Sequence, residues 1–330
     1  MSSESQAWTF ATRGLPSAVL SLATRPIPIL PPPLPLPADV AFAGLNPGAI
    51  FQMVLVSPMI RSATCIPDMD FSGTVMDVWT PDEGKAQAQT RWFKKGEKVV
   101  CMLPASHTLR IGTGALADRV RMPARYVVHK PEGSNFGDTV GVMLPALTAR
   151  QMVVESGTKE GDRVLANAAS GGIGTVMVVQ MVRNVDGKGG YVVVDYTQHG
   201  DLPQHLTTLF SDKPFDAIID TLGHQSLYLA SPSYLVPSGI YSSLNEWWRV
   251  SPWLFGGGRK WMGVSMMNPT LENRERVVGM LGRGTRGIQL IRDSVWEFKD
   301  VKGAYEKLGG LHARGKILVR VDPAVGDDEC

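Results

Sequence analysis

The sequence predicts an α/β fold in which a β-rich segment precedes a doubly wound parallel sheet, and three observations carry that expectation. Residues 163–195, RVLANAASGGIGTVMVVQMVRNVDGKGGYVVVD, read as strand, tight small-residue turn, buried helix and second strand. From about Gly141, apolar runs of strand length alternate with helix-length segments, as in parallel βαβ units. Before that point the chain shows mainly short alternating runs broken by turn residues. At 330 residues the chain is long for one core, so two domains are expected. The boundaries fall at residues 1–143, 144–268 and 269–330, the last segment returning to complete the first domain.

The first segment is dense in proline. Residues 25–37, RPIPILPPPLPLP, must be extended, because consecutive prolines fix φ and remove donors. Their P-x-x-P spacings suit either a partner's aromatic groove or a surface arm of the first domain. Residues 43–48 form a turn, 71–78 an alternating strand, and 96–103 a turn leading into another strand. Residues 112–120 and 126–128 continue the β pattern. A helix over 142–156 follows, then a strand at 164–167, a helix at 175–185 and a strand at 191–194 ending in Asp195. Helices at 202–210 and 225–234 flank a strand at 215–220, and a strand at 239–242 comes next. After the apolar run 261–266, a helix at 271–281 leads to the apolar segment 289–291, a helix at 301–308 and a final strand, 316–321.

Within the turn, Ala169, Gly171 and Gly174 fit an A/G-x-G-x-x-G spacing. The first small residue permits the sharp turn, Gly171 lets the backbone approach a pyrophosphate, and Gly174 lets the helix pack closely on the strand. Unpaired N–H groups at the helix start, with the helix dipole, favour an anion there. Ala169, Ser170, Gly171, Gly172, Ile173 and Gly174 are therefore candidate dinucleotide ligands. The alternative is a tight turn of another α/β fold that holds no ligand. Ligands of parallel sheets lie at carboxyl strand ends, which here are Asn167, Asp195, Asp220 to Gly223 and Ser242 to Asn245.

Composition narrows the function classes. Basic and acidic residues number 33 and 31, a net charge of +2 that gives no reason to expect nucleic acid or an anionic membrane as partner. No apolar run approaches the ~20 residues of a membrane helix, and the opening MSSESQAWTF lacks the layout of a secretory signal. Three scattered cysteines suit a reducing compartment, so a cytoplasmic location is expected.

The order of Asn46-Pro47, Pro67-x-x-Asp70-Phe-Ser-Gly73, Gly96-Glu-Lys-Val99, Leu147-Thr148-Ala149, AASGGIG, Val194-Asp-Tyr196, Asp220-x-x-Gly223 and Gly315-Lys-Ile317 resembles the medium-chain dehydrogenase/reductase superfamily. Within it the chain is similar to the zinc-free quinone oxidoreductase and enoyl reductase branch. The resemblance implies a GroES-like β-rich catalytic domain, a Rossmann domain, a cleft between them and hydride transfer from NADPH, with NADH as the alternative. It also exposes two contractions. Family members place about twenty residues between the strand after the glycine turn and the Val-Asp-Tyr element, whereas here Tyr191-Val-Val193 runs straight into it, so the Rossmann sheet is expected to lack one edge strand-helix unit. A similar shortening falls at Asp39-Val-Ala41, where the family has a full strand.

Asp195 carries two readings. From spacing it ends the second strand and binds both ribose hydroxyls, favouring NADH. By resemblance it and Tyr196 belong to a later strand, which leaves NADPH as the expectation.

Zinc relatives have a Gly-His-Glu turn where this chain has Met69-Asp70-Phe71, and a lobe with four close thiolates that three distant cysteines cannot supply. Cys65, Asp68 and Asp70 lie near one another in sequence without a histidine, and the six histidines show no ligand spacing, so no metal is expected. A metal-free reductase needs a pocket holding an enone beside the nicotinamide and a donor for the developing oxyanion. Asn46 and Thr148 are the catalytic candidates. The Asn46 amide would orient nicotinamide or substrate carbonyl, or else simply form an Asn-Pro turn. Thr148 contacts the nicotinamide end by resemblance, or else bonds its own helix. Thr221, Leu222 and Gly223 border the cofactor ribose, Ser242 sits at another strand end, and Lys316 resembles a lysine near the cofactor. The stretch 245–261, NEWWRVSPWLFGGGRKW, reads as an apolar lid, a protein interface or core. A small apolar conjugated carbonyl or quinone is the expected substrate, with a homodimer left open. The rival reading is a reductase fold with a decayed cofactor site, acting as a non-redox cyclase or isomerase or as a binding subunit.

Overall fold

The computed structural model describes residues 4–27, 35–77, 93–183, 192–244, 260–263, 269–281 and 288–329. The middle of the proline run and the tryptophan-rich stretch up to residue 259 lie outside the described residues. The chain divides into two compact units, residues 1–147 with 266–330, and residues 148–265.

The first unit opens with an antiparallel pair, β1 (Glu4–Thr9) and β2 (Ser21–Pro26), joined through the short helix α1 (Pro16–Val19). Next come β3 (Pro35–Gly44), α2 (Pro47–Leu55), β4 (Asp70–Val75), β5 (Lys98–Met102), α3 (Ala105–Ile111), β6 (Arg119–Pro123), β7 (Val127–His129) and α4 (Phe136–Glu155). Strand β3 is the organiser. It pairs antiparallel with β4 and β6, and β4 pairs on through β5 to β7. Its prolines are tolerated because residues 35–37 pair with β6 alone, before the β4 ladder begins at Ala38. The expected shortening before Asn46 is therefore corrected: a ten-residue strand stands there, its start supplied by the end of the proline run. Gly73 is required by close approach, since a Cβ would lie 2.0 Å from the Asp39 carbonyl oxygen. Residues 112–118 form no strand. The unexpected helix α3 ends at Gly112 in the left-handed conformation instead. The core beneath these strands includes Phe10, Leu45, Met53, Phe71, Val99, Leu116, Tyr305 and Val319.

Helix α4 starts earlier than expected because Asn135 caps it, its Oδ1 accepting from Asp138 N at 2.6 Å. It is buried on nearly every side between Thr139 and Ala149, as an apolar central helix must be.

The second unit contains β8 (Val164–Asn167), α5 (Gly172–Arg183), α6 (Leu202–Phe210), β9 (Phe215–Asp220), α7 (Gln225–Ala230), β10 (Leu235–Ser243) and β11 (Lys260–Gly263). The sheet is fully parallel in the order β11-β10-β9-β8. Asp201 caps α6 by accepting from Gln204 N at 2.9 Å, and Pro203 follows in the first turn. Helix α7 stops short of residue 234 because Pro232 opens a separate 3-10 turn. Leu206, Phe215, Ile218, Leu227, Tyr234 and Tyr241 form one side of its core.

The expected strand at 191–194 is not formed in its described part. Val192 and Val193 are 76% and 80% exposed coil, and Asp195 caps a 3-10 turn at Tyr196–Gln198. β-Branched residues favour an extended backbone, but a strand also needs a ladder partner. Among the described residues β8 is consequently the last strand on its side of the sheet, and all four of its residues are only half-buried.

The chain re-enters the first unit with α8 (Leu271–Val278), β12 (Arg292–Glu297), α9 (Val301–Gly309) and β13 (Lys316–Arg320). Thr270 caps α8. Strand β12 was not expected from the sequence. It lies parallel to β13, which pairs antiparallel with β3. No helix among the described residues is long and apolar enough to cross a membrane.

Candidate functional site

In the second unit the polar groups gather at the carboxyl ends of β8, β9 and β10. The turn after β8 begins with Ala168 at φ +59°, a left-handed backbone unusual for a residue bearing a Cβ. Gly171 N then donates to Ala168 O at 3.1 Å and α5 begins. Gly174 is fixed by packing: a Cβ there would stand 2.2 Å from Ala168 O and 2.6 Å from Ala169 Cα. At Gly171 the nearest such atom is 3.4 Å away, so the turn leaves room above that residue. Ala169 and Ser170 are exposed, while Gly171, Gly172 and Ile173 are half-buried. The helix thus offers its first amides in an open, backbone-lined corner, which suits a diphosphate.

Asp220 organises the neighbouring loop. Its Oδ1 accepts from Asn167 Nδ2 at 2.7 Å, Leu222 N at 3.0 Å and Gly223 N at 2.9 Å. Its Oδ2 accepts from His224 N and Tyr241 OH, each at 2.7 Å. One buried carboxylate therefore ties together the ends of three strands and holds Thr221, Leu222 and Gly223 beside Asn167. Thr221 Oγ1 adds a bond to Asn167 O at 3.3 Å. Ser242 and Ser243 are fully buried, and neither Oγ has a hydrogen-bond partner among the described residues. Two orphaned hydroxyls at a carboxyl strand end are costly unless a ligand or water satisfies them. The expected cofactor residues 169–174, 221–223 and Ser242 thus lie around one set of strand ends. Asp195 does not end a strand. Its Oδ1 accepts from Thr197 N at 3.0 Å and Oγ1 at 2.7 Å, and Tyr196 beside it is half exposed. Thr148 is buried within α4.

The first unit holds a second polar cluster that joins Asn46 to Lys316. Lys316, at the start of β13, is 4% exposed, and its Nζ donates to Asn46 Oδ1 at 2.6 Å. It also faces Asp70 Oδ2 at 3.6 Å. Asn46 occupies the N-cap of α2, with Pro47 following, yet its side chain makes no cap bond. Instead Nδ2 donates to Gly44 O at 3.0 Å, Asp68 Oδ1 at 3.1 Å and Asp70 Oδ2 at 3.2 Å. Asn46 N donates to Asp68 Oδ1 at 2.9 Å, and Tyr305 OH from α9 donates to Asp68 Oδ2. Burial pushes the Asp68 carboxyl up to about 7, against the Tyr305 bond and the Lys316 charge, and pushes Asp70 up to about 6. Burial also lowers Lys316, opposed by the two carboxylates, and raises Tyr305 well above its ordinary value. Arg274 of α8 is fully buried nearby, its Nη1 donating to Met102 O at 2.6 Å and Tyr126 O at 3.2 Å. Asp70 Oδ1 and Arg274 Nη2 have no hydrogen-bond partner among the described residues.

Sequence reasoning placed Asn167, Asp220 and Tyr241 at carboxyl strand ends without foreseeing the hydrogen bonds that join them, missed Tyr305, and weighed Asp68 only as a metal ligand. The Asp-Met-Asp spacing after Pro67 was the one available signal for Asp68.

Zinc does not fit this cluster. Asp70, the residue standing at the metal turn of the zinc relatives, is capped by Asn46 and faces the Lys316 ammonium, which opposes a dication. The described residues contain no group of three His, Cys, Asp or Glu side chains placed to hold a metal.

Comparison with known proteins agrees with this architecture. A family model described as zinc-binding dehydrogenase matches residues 189–319. The chain is 28% identical to the medium chain reductase pydE of an Acremonium species, over 97% of this chain and 100% of that protein. It is 27% identical to the trans-enoyl reductase poxH of Penicillium oxalicum, over 96% of this chain and 97% of the relative. The first alignment spans 380 positions, at least 50 more than this chain possesses, so the relative carries segments absent here. Among solved structures, a quinone oxidoreductase from Coxiella burnetii superimposes with a TM-score of 0.75 at 20% identity, covering 97% of this chain and 100% of that one. In its β-rich unit, its parallel sheet with the glycine turn, and these matches, the chain is similar to proteins of the medium-chain dehydrogenase/reductase superfamily.

Proposed function

We propose that the protein is a zinc-independent reductase that transfers hydride from NADPH to an activated carbon–carbon double bond, with a quinone as the second substrate class. The observation that carries this reading is the corner formed by residues 168–174, where Gly174 brings α5 against the turn and leaves its first amides facing solvent. That corner would hold the diphosphate, and the loop 221–223 tied to Asp220 would border the ribose. Bound there, the dinucleotide supplies the hydride. Ser242 and Ser243 would satisfy their hydroxyls on ligand or water. In the first unit, Lys316, whose ammonium bonds Asn46 Oδ1 and faces Asp70, is the cation assigned to the developing negative charge on the substrate oxygen. Asn46 would set the direction of that ammonium, since its own amide donors are already directed at Gly44, Asp68 and Asp70. The enoyl preference rests on the relative named a trans-enoyl reductase.

The exposed Val192 and Val193, where a second strand would normally stand, favour the rival: a cofactor site that has lost its adenosine side. The test is a fluorescence titration of the purified protein with NADPH and NADH, followed by cofactor consumption with an enone and a quinone. Saturable NADPH binding and enone-dependent consumption support the reductase. No binding of either cofactor at millimolar concentration establishes the rival.

A further inference from the structure

Asp68 sits at φ +63°, a backbone region that favours glycine, although Asp enters it more readily than most residues. It is fully buried, and each of its oxygens is engaged: Oδ1 by Asn46 N and Nδ2, Oδ2 by Tyr305 OH. Burying a carboxylate beside Asp70 costs stability, and a glycine would satisfy the backbone with no buried charge. The N-cap of α2 makes the same point independently, for Asn46 forgoes the bond to its own helix and turns its amide into this cluster.

The cluster permits one amide orientation. Nδ2 lies among three oxygens, those of Gly44, Asp68 and Asp70, and Oδ1 lies against an ammonium. Reversing the amide would set its oxygen against three acceptors and its NH2 against Lys316. We propose that Asp68 and Tyr305 form a buried clamp that fixes the Asn46 amide and, through its Oδ1, the Lys316 ammonium, making both positioning residues for the reduction. This rests on the reductase reading above. Tyr305 holds one carboxylate oxygen from α9, which leaves the other to grip both the backbone and side-chain nitrogens of Asn46. The charged and titratable groups around the clamp are Asp70 on β4, Lys316 on β13 and Tyr305 on α9, with Arg274 on α8 acting on Asp70 and Asp70 in turn on Cys101 of β5. Burial brings Asp68 to about 7, so the strength of the clamp changes around neutral pH.

The experiment compares wild type with Asp68→Gly, Asp68→Asn and Tyr305→Phe by two readouts. Steady-state reduction should show kcat falling roughly tenfold or more in Asp68→Gly, with NADPH affinity unchanged and a melting temperature at or above wild type. Asp68→Asn, which keeps an acceptor for Asn46, should recover part of kcat but lose the inflection of kcat near pH 7. Tyr305→Phe should shift that inflection. The second readout is nuclear magnetic resonance of the Asn46 side-chain amide in asparagine-labelled protein, which needs no activity. Its Nδ2 protons should exchange slowly and move with pH through neutrality in wild type, and both features should vanish in Asp68→Gly. Wild-type kcat and an unchanged pH profile in Asp68→Gly would overturn the proposal. If no variant, wild type included, reduces any substrate, the reductase reading fails, and the amide resonance alone decides the clamp: unchanged Asn46 signals in Asp68→Gly refute it.

Discussion

Replacing Gly174 and Gly171 separately by alanine divides folding from binding at the glycine turn. The new methyl at residue 174 would lie 2.2 Å from Ala168 O, 2.6 Å from Ala169 Cα and 2.8 Å from Ala169 C. All three atoms are backbone, so no side chain can rotate away, and α5 must retreat by roughly 1 Å to restore ordinary contact. Overpacking of this kind costs about 1–3 kcal/mol, and backbone contacts place it near the upper end. For a unit of this size the melting temperature should fall by roughly 10–12 °C, and the displaced amides should weaken NADPH binding at least tenfold. At residue 171 the methyl would meet only Ala168 O at 3.4 Å. Gly171→Ala should therefore melt within about 0.5 kcal/mol of wild type, while its methyl stands where a phosphate oxygen approaches the amides and weakens binding. Thermal denaturation and fluorescence titration of both variants decide the matter. A Gly174→Ala protein that melts with wild type would refute the packing argument, and a Gly171→Ala protein that binds NADPH at full strength would remove the diphosphate from this corner.

Ala168→Gly should be neutral or stabilising by up to about 1 kcal/mol, because a left-handed φ of +59° penalises the alanine Cβ; chemical denaturation measures it. Asp220→Asn keeps the shape but replaces an acceptor-only group that serves five donors, so calorimetry should show a loss of about 2–3 kcal/mol. Asp68 and Asp70 have raised folded values of about 7 and 6, so between about pH 4 and those values the folded state binds more protons than the unfolded state. Their contribution to stability is full below about pH 4 and lost as pH rises through 6 to 7; melting temperatures from pH 5 to 8 should fall, less steeply in Asp68→Asn. Prolonged chelation followed by assay should leave reductase activity unchanged, since the Lys316 ammonium faces the carboxylate that a zinc ion would need.

Much of the parallel sheet was legible because its signals are local. Strands 164–167 and 215–220 and the helix at 202–210 appear with the expected bounds, the helix start being written into Asp201 and Pro203. Residues 192–194 fail for the opposite reason: the valines state a backbone preference, and the missing ladder is a property of distant chain. Helix α3 and strand β12 escaped notice because ASHTLRI and RDSVWE show no marked apolar face, and all six residues of β12 are half-buried. Asn46 and Lys316 were singled out through the motifs around them, although 270 residues separate the two. Asp68 with Tyr305 was not, since 237 residues lie between them and no sequence pattern announces a positive φ.

Strand β3 finds its β13 neighbour only at residues 318–320, close to the end of the chain. During synthesis, residues 148–265 emerge as one uninterrupted stretch while the β-rich body still lacks β12, β13, Arg274 and Tyr305. Residues 148–265 can therefore mature first on the ribosome, while the buried lysine and its carboxylates come together only after β13 has left the exit tunnel. Until residue 316 is in place, Asp70 and Asn46 lack the cation that they share in the finished fold.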